Sequence, residues 1–456
     1  MYTIAAQATP YGIGAIACIR MSGDDAVEIA DRVFKAKTKL VNAKTHTVHH
    51  GYIISHENGN VIDEVMVSVM LAPHTFTGEN TVEISTHGGI SAPRAVLNEL
   101  IYAGARPAEP GEFSKRAFLN GKMDLSQAEA VIDIINSKTD IAQKNAVGQL
   151  EGRLSSSIND IRQLLVNLAA HMQVSIDYPD EDVEELTAKR LHDDINAALC
   201  KVNKLIKTAD DGKIITEGIT TAIVGTTNVG KSSVLNMLSG NERAIVTDIE
   251  GTTRDVISEN ISLNGIPLVL LDTAGIRNTQ DKVESIGIEK SRQQADAAQL
   301  VIAVLDGSRN LNRDDLDVLE FTKTKQRIIL INKTDIAGGV TLNEVKAIAP
   351  DTVVLEVSAK TGDGMEALTN AVKEMYDLEG IYDKDISVVT NLRHKTALIN
   401  AQKALTRAYE SLNALMPFDI TSIDINEAIS YLGEITGKTV TDDIVNSIFH
   451  RFCVGK

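Results

Sequence analysis

Residues 219–224, Ile-Thr-Thr-Ala-Ile-Val, form a short apolar, β-branched run that stops at Gly225. The chain then reads G-x-x-x-x-G-K-S, closed by Gly230, Lys231 and Ser232, after which Val234, Leu235 and Leu238 recur at helical spacing. A strand, a glycine-bounded loop and a helix in this order make a phosphate cradle. The glycines let backbone amides turn toward phosphate oxygens, and the helix N-terminus adds the positive end of its dipole. In such a loop the lysine reaches the β- and γ-phosphates and the serine holds Mg2+, roles that fall here to Lys231 and Ser232.

An eight-residue match occurs by chance, so context decides. Asp272-Thr273-Ala274-Gly275 follows the strand-like residues 267–271, Asn332-Lys333-Thr334-Asp335 follows 327–331, and Ser358-Ala359-Lys360 follows 353–357. Four motifs in this order, each at the end of an expected strand, predict an α/β Ras-like P-loop GTPase domain. Base choice comes from Asp335, whose two carboxylate oxygens can accept N1–H and the exocyclic amino group of guanine. Adenine lacks that donor pair and would leave a desolvated carboxylate unpaired. Asn332 and Lys333 shape the rest of the pocket, and the Ala359 N–H would meet guanine O6. The stretch Thr247-Asp248-Ile249-Glu250-Gly251-Thr252-Thr253-Arg254-Asp255 suits a mobile loop, with Thr253 as Mg2+ ligand and γ-phosphate sensor. Asp272 would touch the Mg2+ shell and the Gly275 N–H the γ-phosphate.

Ras-like GTPases carry a glutamine after the Asp-x-x-Gly motif to orient the attacking water. Here that position is Ile276, which cannot hydrogen-bond. Arg254 and Arg277 are nearby, but neither is assigned as an arginine finger. Hydrolysis therefore needs another water-positioning group and another positive charge. Glu284 and Glu289 are the acidic candidates, and Asn228 offers an oxygen to a monovalent cation beside the β/γ bridge.

The chain has 456 residues, enough for about three domains, and 43% apolar residues, which supports packed cores. Lys+Arg number 45 against Asp+Glu 62, a net charge of −17 that works against broad nucleic-acid binding; an RNA substrate would need a local basic patch or a partner protein. Cys18, Cys200 and Cys453 are scattered, so neither zinc nor a disulfide framework is expected and a reducing, cytoplasmic compartment fits. No apolar run of about 18 residues is present, so no membrane span is expected. A strand-like pattern starts at Thr3, which leaves no room for a signal or transit peptide, and Tyr2 excludes myristoylation.

Residues 1–120 read as α+β. Strands are expected at 16–19, 51–55, 62–71 and 82–86, with hairpin chemistry at 56–60, and helices at 26–34 and 92–100. His74 and His87 are isolated and suit turn or packing roles better than metal ligation. Residues 121–214 are expected to be helical, with one apolar repeat from Leu125 to Ile135, another from Leu150 to Leu168, and a further helix over about 184–207. The acid run 177–182 contains Pro179 and reads as a solvated helix start. The GTPase domain spans 215–378. Residues 379–456 are helical again, over 391–415 and 423–448, so the economical architecture inserts the GTPase into a helical domain. Gly433-Glu-Ile-Thr-Gly437-Lys-Thr439 has one residue too few between its glycines for a phosphate loop and reads as a helix–helix connection. Cys453-Val454-Gly455-Lys456 is a poor prenylation box.

Several further motifs resemble the tRNA modification GTPase family called MnmE or TrmE. They are Gln7-Ala-Thr-Pro10, Gly111-Glu-Phe-Ser114, Arg116-Ala-Phe-Leu-Asn120, Asp124-Leu with Gln127-Ala-Glu-Ala130, the 247–255 loop and the ending Phe452-Cys-Val-Gly-Lys456. The resemblance covers nearly the whole chain. It implies a homodimer built through the 1–120 domain, which would also bind 5,10-methylene- or 5-formyl-tetrahydrofolate through Arg20, Glu83 and Lys122, with Lys456 nearby. It implies an FAD-dependent MnmG-type partner in a heterotetramer, with tRNA as substrate. Together the two proteins would install an aminomethyl-type group, commonly carboxymethylaminomethyl, on C5 of the wobble uridine. For the nucleotide domain it implies K+-dependent pairing of two copies, with Asn228, Thr247, Ile249 and Thr252 at the cation and Ser232 and Thr253 at Mg2+.

On this reading the GTP site comprises Asn228, Val229, Gly230, Lys231, Ser232 and Ser233, Thr247–Thr253, Asp272–Gly275, Asn332, Lys333, Asp335 and Ser358–Lys360. Glu284 matches the acid that helps place the water, Lys231 serves the phosphates, and Cys453 matches a cysteine of open chemical role. Thr226 and Thr227 depart from a common proline-containing version, which bears on loop stiffness. The alternatives are an RNA-binding ribosome-assembly GTPase, which would carry a second GTPase domain or an RNA-binding module, and a switch that needs a separate activator.

Overall fold

The computed structural model describes residues 2–137, 139–177, 188–240, 259–263, 265–271, 284–376 and 388–456, without side chains at 188, 210, 211, 284–288 and 290. The chain divides into two compact units. One holds 1–132, 150–162 and 429–456, the other 133–149 and 163–428.

The first unit is built on β1 (Ile4–Gln7), β2 (Ile16–Ser22), β3 (Phe34–Lys35), β4 (Thr47–Ile54), β5 (Val61–Met70), β6 (Thr81–His87) and β7 (Arg106–Pro107). They lie in the order β3-β4-β5-β6-β2-β1-β7, antiparallel except for the β1–β7 pair. Alternation decides the two faces. Ile19, Met21, Val65, Val67, Val69, Val82 and Ile84 point to one side and pack with Val27, Ile29, Val33, Val96 and Leu100 of the helices Ala26–Val33 and Ser91–Tyr102. Residues of the opposite phase, Arg20 and Glu83 among them, face the other side, and the register sets these two directly across from each other. The expected hairpin is present, closed by Ser55 N–H to Asn60 O at 2.9 Å. His87 is tied to Asp63, Nδ1 to Oδ1 at 2.7 Å, and this bond raises its imidazole above the ordinary value.

Helices Glu112–Leu119 and Asp442–Phe449 also belong to this unit, with the first part of Leu125–Asn136. Leu125, Ala128, Val445, Ile448, Phe449 and Phe452 form one apolar cluster, against which Phe118 packs. The last residues strap onto the start of the helix Glu112–Leu119: Gly111 N–H reaches Cys453 O at 3.4 Å and Phe113 N–H reaches Lys456 O at 3.2 Å.

The second unit contains β8 (Ile219–Val224), β9 (Glu259–Leu263), β10 (Ile266–Leu270), β11 (Leu300–Asp306), β12 (Arg327–Asn332) and β13 (Val353–Glu356). Their order is β13-β12-β11-β8-β10-β9, parallel except for the β9–β10 hairpin. Both faces are covered, so these strands read as continuous apolar runs. On β11, Leu300, Ile302 and Val304 join one core and Val301, Ala303 and Leu305 the other. The helix after the phosphate loop, Lys231–Gly240, buries the expected Val234, Leu235 and Leu238.

Three helical expectations change. The repeat from Leu150 to Leu168 is not one helix: Asp140–Leu150 ends, Gly152 adopts φ +87, and Arg153–Asp177 begins afresh. A left-handed residue there breaks the helix although the apolar spacing carries across it. The helix expected over 184–207 runs Ala188–Glu217 and reaches the strand that feeds the phosphate loop. The span 423–448 is two helices, Phe418–Thr436 and Asp442–Phe449. The Gly433–Thr439 segment closes the first, with Thr439 Oγ1 donating to Ser430 O at 2.6 Å. Most of the acid run, 178–182, lies outside the described residues. Among the described residues no helix is long and apolar enough to cross a membrane and no group of His, Cys, Asp and Glu is arranged to hold a metal ion.

Ile302 is fully buried at the centre of the nucleotide sheet. Ile302→Ala should lower the unfolding free energy of this unit by about 2–5 kcal/mol, read by denaturant titration. An unchanged midpoint would mean that β11 is not the sheet's centre.

Candidate functional site

The nucleotide sheet starts at β8 and adds β10 and β9 on one side, β11, β12 and β13 on the other. The connections leave β8 and β11 toward opposite edges. A crevice at their carboxyl ends is where open α/β sheets bind ligands. The phosphate loop leaves β8 at this crevice, and Asp306 ends β11 beside it.

Gly230 has φ +95, and a Cβ there would meet Asn332 Nδ2 at 2.3 Å. Only glycine fits, because Asn332 comes in to donate Nδ2 to Val229 O at 2.9 Å. Asn332 is 2% exposed and also accepts the Ala359 N–H on Oδ1 at 3.0 Å. The Ala359 amide, expected at guanine O6, thus has an internal acceptor in this structure. Lys231 lies over its own loop, with Nζ donating to Gly225 O at 2.7 Å and Thr226 O at 2.8 Å. Burial pushes its ammonium below the ordinary lysine value. Ser232 and Ser233 open the helix, half-buried and exposed respectively.

Lys333 joins two loops. Its Nζ donates to Asn228 O at 2.7 Å and to Asp306 Oδ2 at 2.6 Å. Both ends of the contact have left-handed backbones, φ 62 at Asn228 and φ 69 at Lys333. Burial by itself raises the Asp306 pKa, but hydrogen bonds from Lys333 and Ser308 outweigh it and hold the carboxyl below its ordinary value. Sequence reasoning missed Asp306; the signal was an acid ending the apolar run 300–305 just ahead of a glycine. The Asn228 side chain remains exposed. Asp335 accepts from Ser358 Oγ on Oδ1 at 2.9 Å, and Lys360 Nζ stands 4.0 Å from Oδ2. Ser358 is 1% exposed, so it fixes the carboxylate's orientation from below.

Thr247, Asp248, Ile249, Glu250, Gly251, Thr252, Thr253, Asp272, Thr273, Ala274 and Gly275 lie outside the described residues. Glu284 starts the helix Glu284–Ala297, with its side chain outside the description, and Glu289 on the same helix is exposed.

In the first unit, Arg20 Nε donates to Glu83 Oε1 at 2.7 Å and Arg20 NH1 to Gly455 O at 3.3 Å. Both bonds of the Arg20–Glu83 pair use Oε1, and the two side chains are 21% and 30% exposed. The Phe113 ring lies 5.9 Å from the Arg20 guanidinium carbon. The structure thus brings Arg20, Glu83 and the C-terminal segment together. Lys122 contacts a different loop, donating to Pro73 O at 3.0 Å. Cys453 is an exposed free thiol, and Cys18, half-buried on β2, has its thiol pushed up by burial and then by Glu83.

Asp306→Asn removes the charge that holds Lys333 and should weaken GTP binding roughly tenfold, since a hydrogen bond between charged groups contributes about 1.5–3 kcal/mol. Because the folded pKa is depressed, the pair stabilises fully above the ordinary aspartate value near about 4 and its contribution is lost as pH falls through the lower folded value. Unfolding titrations at stepped pH should show this acid-side loss in the parent and not in the variant.

A family model described as the MnmE helical domain matches residues 125–453, and one described as GTP-binding protein TrmE N-terminus matches residues 3–122. The chain is 47% identical over 454 residues to the tRNA modification GTPase MnmE of Acetivibrio thermocellus, covering 100% of this chain and 99% of that protein. It is 46% identical over 456 residues to the MnmE of Enterococcus faecalis, covering 100% and 98%. Among solved structures, a variant of Aquifex aeolicus Era bound to GDP·AlF4− aligns with 41% of this chain and 66% of its own at 27% identity and a TM-score of 0.27. Full-length relatives of one name, together with a helical-domain match over most of the residues, show that the chain belongs to the MnmE family of tRNA modification GTPases.

Proposed function

We propose that this GTPase works as a homodimer with an FAD-dependent MnmG-type partner. Together they add an aminomethyl or carboxymethylaminomethyl group to C5 of the wobble uridine of certain tRNAs in the cytoplasm, using a tetrahydrofolate one-carbon unit. The observation that carries this reading is the meeting of the C-terminal segment with the Arg20–Glu83 pair: Gly455 O accepts from Arg20 two residues after the exposed thiol of Cys453. A ribosome-assembly role is set aside by family membership.

The residues of the first unit fit a folate in one specific respect. Arg20 engages Oε1 of Glu83 twice, which leaves Oε2 to accept from a further donor, such as an N–H of a pterin ring. Arg20, Glu83, Lys122 and Lys456 would hold the cofactor, which supplies the one-carbon unit when bound. Arg20 also ties the tail to the sheet, so the tail and the carboxylate are ordered together.

At the nucleotide, Lys231 leaves its two loop carbonyls for the phosphates, and Asp335, oriented by Ser358, reads guanine. The loop residues offered to ions fit as well. Ser232 stands at the helix start where a Mg2+ ligand is needed, and Asn228 presents an exposed amide oxygen to a monovalent cation. Ser232 and Thr253 would hold Mg2+, and Asn228, Thr247, Ile249 and Thr252 would hold K+, which supplies positive charge where Ras-like systems use an arginine. Glu284 would orient the attacking water.

Mass spectrometry of wobble uridine tests the whole reading. A deletion strain should lose the modification, and a chain lacking residues 453–456 should not restore it while its GTP hydrolysis stays at the parent rate. Restoration by the shortened chain removes the tail from the site. Exchange of Na+ for K+ should raise GTP turnover at least roughly tenfold, and Glu284→Ala should keep GTP binding but lose that turnover. Equal rates in the two salts reject the cation role.

A further inference from the structure

A second anchor of the phosphate loop lies outside the four nucleotide motifs. Thr226, the first residue after Gly225, donates Oγ1 to Asp315 Oδ1 at 2.9 Å. Asp315 sits in the first turn of the helix Arg313–Phe321 and is 1% exposed. Arg309 closes the group with NH1 to Asp315 Oδ2 at 2.6 Å, NH2 to Oδ1 at 3.1 Å and NH2 to Thr226 Oγ1 at 3.3 Å. Asp315 is itself fixed by a capping box, its N–H donating to Asn312 Oδ1 at 2.8 Å and its Oδ2 accepting the Asn312 N–H at 3.1 Å. A buried carboxylate is tolerated only with its lone pairs filled, and here they are.

The position of this clamp matters because Thr226 O is one of the two carbonyls on which Lys231 rests, at 2.8 Å. Two residues further on, Asn228 O is held by Lys333, which is held by Asp306. The acids behind both anchors, Asp306 and Asp315, come from one stretch, 306–315, that begins at the end of β11 and runs into the following helix. A loop that must present amides to phosphate binds more tightly if its shape is set beforehand, since less ordering is left for the binding step. Thr226-Thr227 has no proline to stiffen it, so side-chain contacts must do so.

We propose that Arg309 and Asp315 are positioning residues of the GTP site, which act through the Thr226 hydroxyl to hold the phosphate loop in its binding shape. The inference rests on the assignment of that loop to GTP. The direct test is Thr226→Val, which keeps the volume, removes the hydroxyl and leaves Asp315 paired with Arg309. Its dissociation constant for a fluorescent GTP analogue should rise about tenfold, a change of about 1.4 kcal/mol, with kcat at saturating GTP within about twofold of the parent. Thr226→Ser should restore parent affinity, and Asp315→Asn should weaken binding in the same direction. Parent affinity in Thr226→Val, a serine variant as weak as the valine variant, or a fall in kcat with KM unchanged would each overturn the proposal. Lys231→Ala separates the two levels. If it loses GTP while Thr226→Val does not, the clamp alone is wrong; if it binds GTP like the parent, the loop assignment fails as well.

Discussion

The nucleotide site depends on one ammonium group that crosses between two strands' loops. Lys333 spans Asn228 O and Asp306 Oδ2, and no residue near it in sequence supplies either partner. The pair is only partly buried, with the lysine 29% and the aspartate 9% exposed, so its attraction is not fully screened and its desolvation cost is limited. With the bridge in place the loop after β8, the loop after β12 and the end of β11 are tied together. Among the described residues Lys333 is the donor that meets the Asn228 carbonyl, so without it that left-handed turn would present the carbonyl to solvent.

The sheet explains why these loops meet. Strands β8 and β11 lie side by side and send their connections to opposite edges, which leaves a gap at their carboxyl ends. The strands are apolar on both faces, so neither can slide by one residue without moving side chains between two separate cores. Register therefore fixes how far Asp306 stands beyond the sheet. The close approach of Asn332 to Gly230 then fits the loop to the end of β12, two strands away.

The first unit solves a different problem. The sheet face opposite the two helices carries a small apolar cluster of Ile4, Ala6 and Phe113 and, beside it, polar groups, with Arg20 and Glu83 opposite each other there by register. The C-terminal segment closes over this region through backbone bonds to Gly111 and Phe113 and through the buried ring of Phe452. Its conformation is set by contacts with residues hundreds of positions earlier, so the tail is part of the N-terminal fold.

Much of this was legible in the residues alone. The phosphate loop, the strands before each nucleotide motif, the 56–60 hairpin and the helix carrying Val234 and Leu238 follow from local chemistry: turn residues, alternation and helical spacing act over a few positions. Spacing failed at Gly152, where one left-handed residue outweighed an unbroken apolar repeat. It also could not name the partners of Asp306, Arg309 or Asp315, which are Lys333 and Thr226 on other strands' loops. Nor could it say that Ala359 and Asn332 satisfy each other. The sequence determined which elements form and which chemistry they carry, because those choices are made by neighbouring residues. Which polar groups meet was decided only by the tertiary structure, because a hydrogen bond between distant residues exists only after strand order and register have brought their loops to the same end of the sheet.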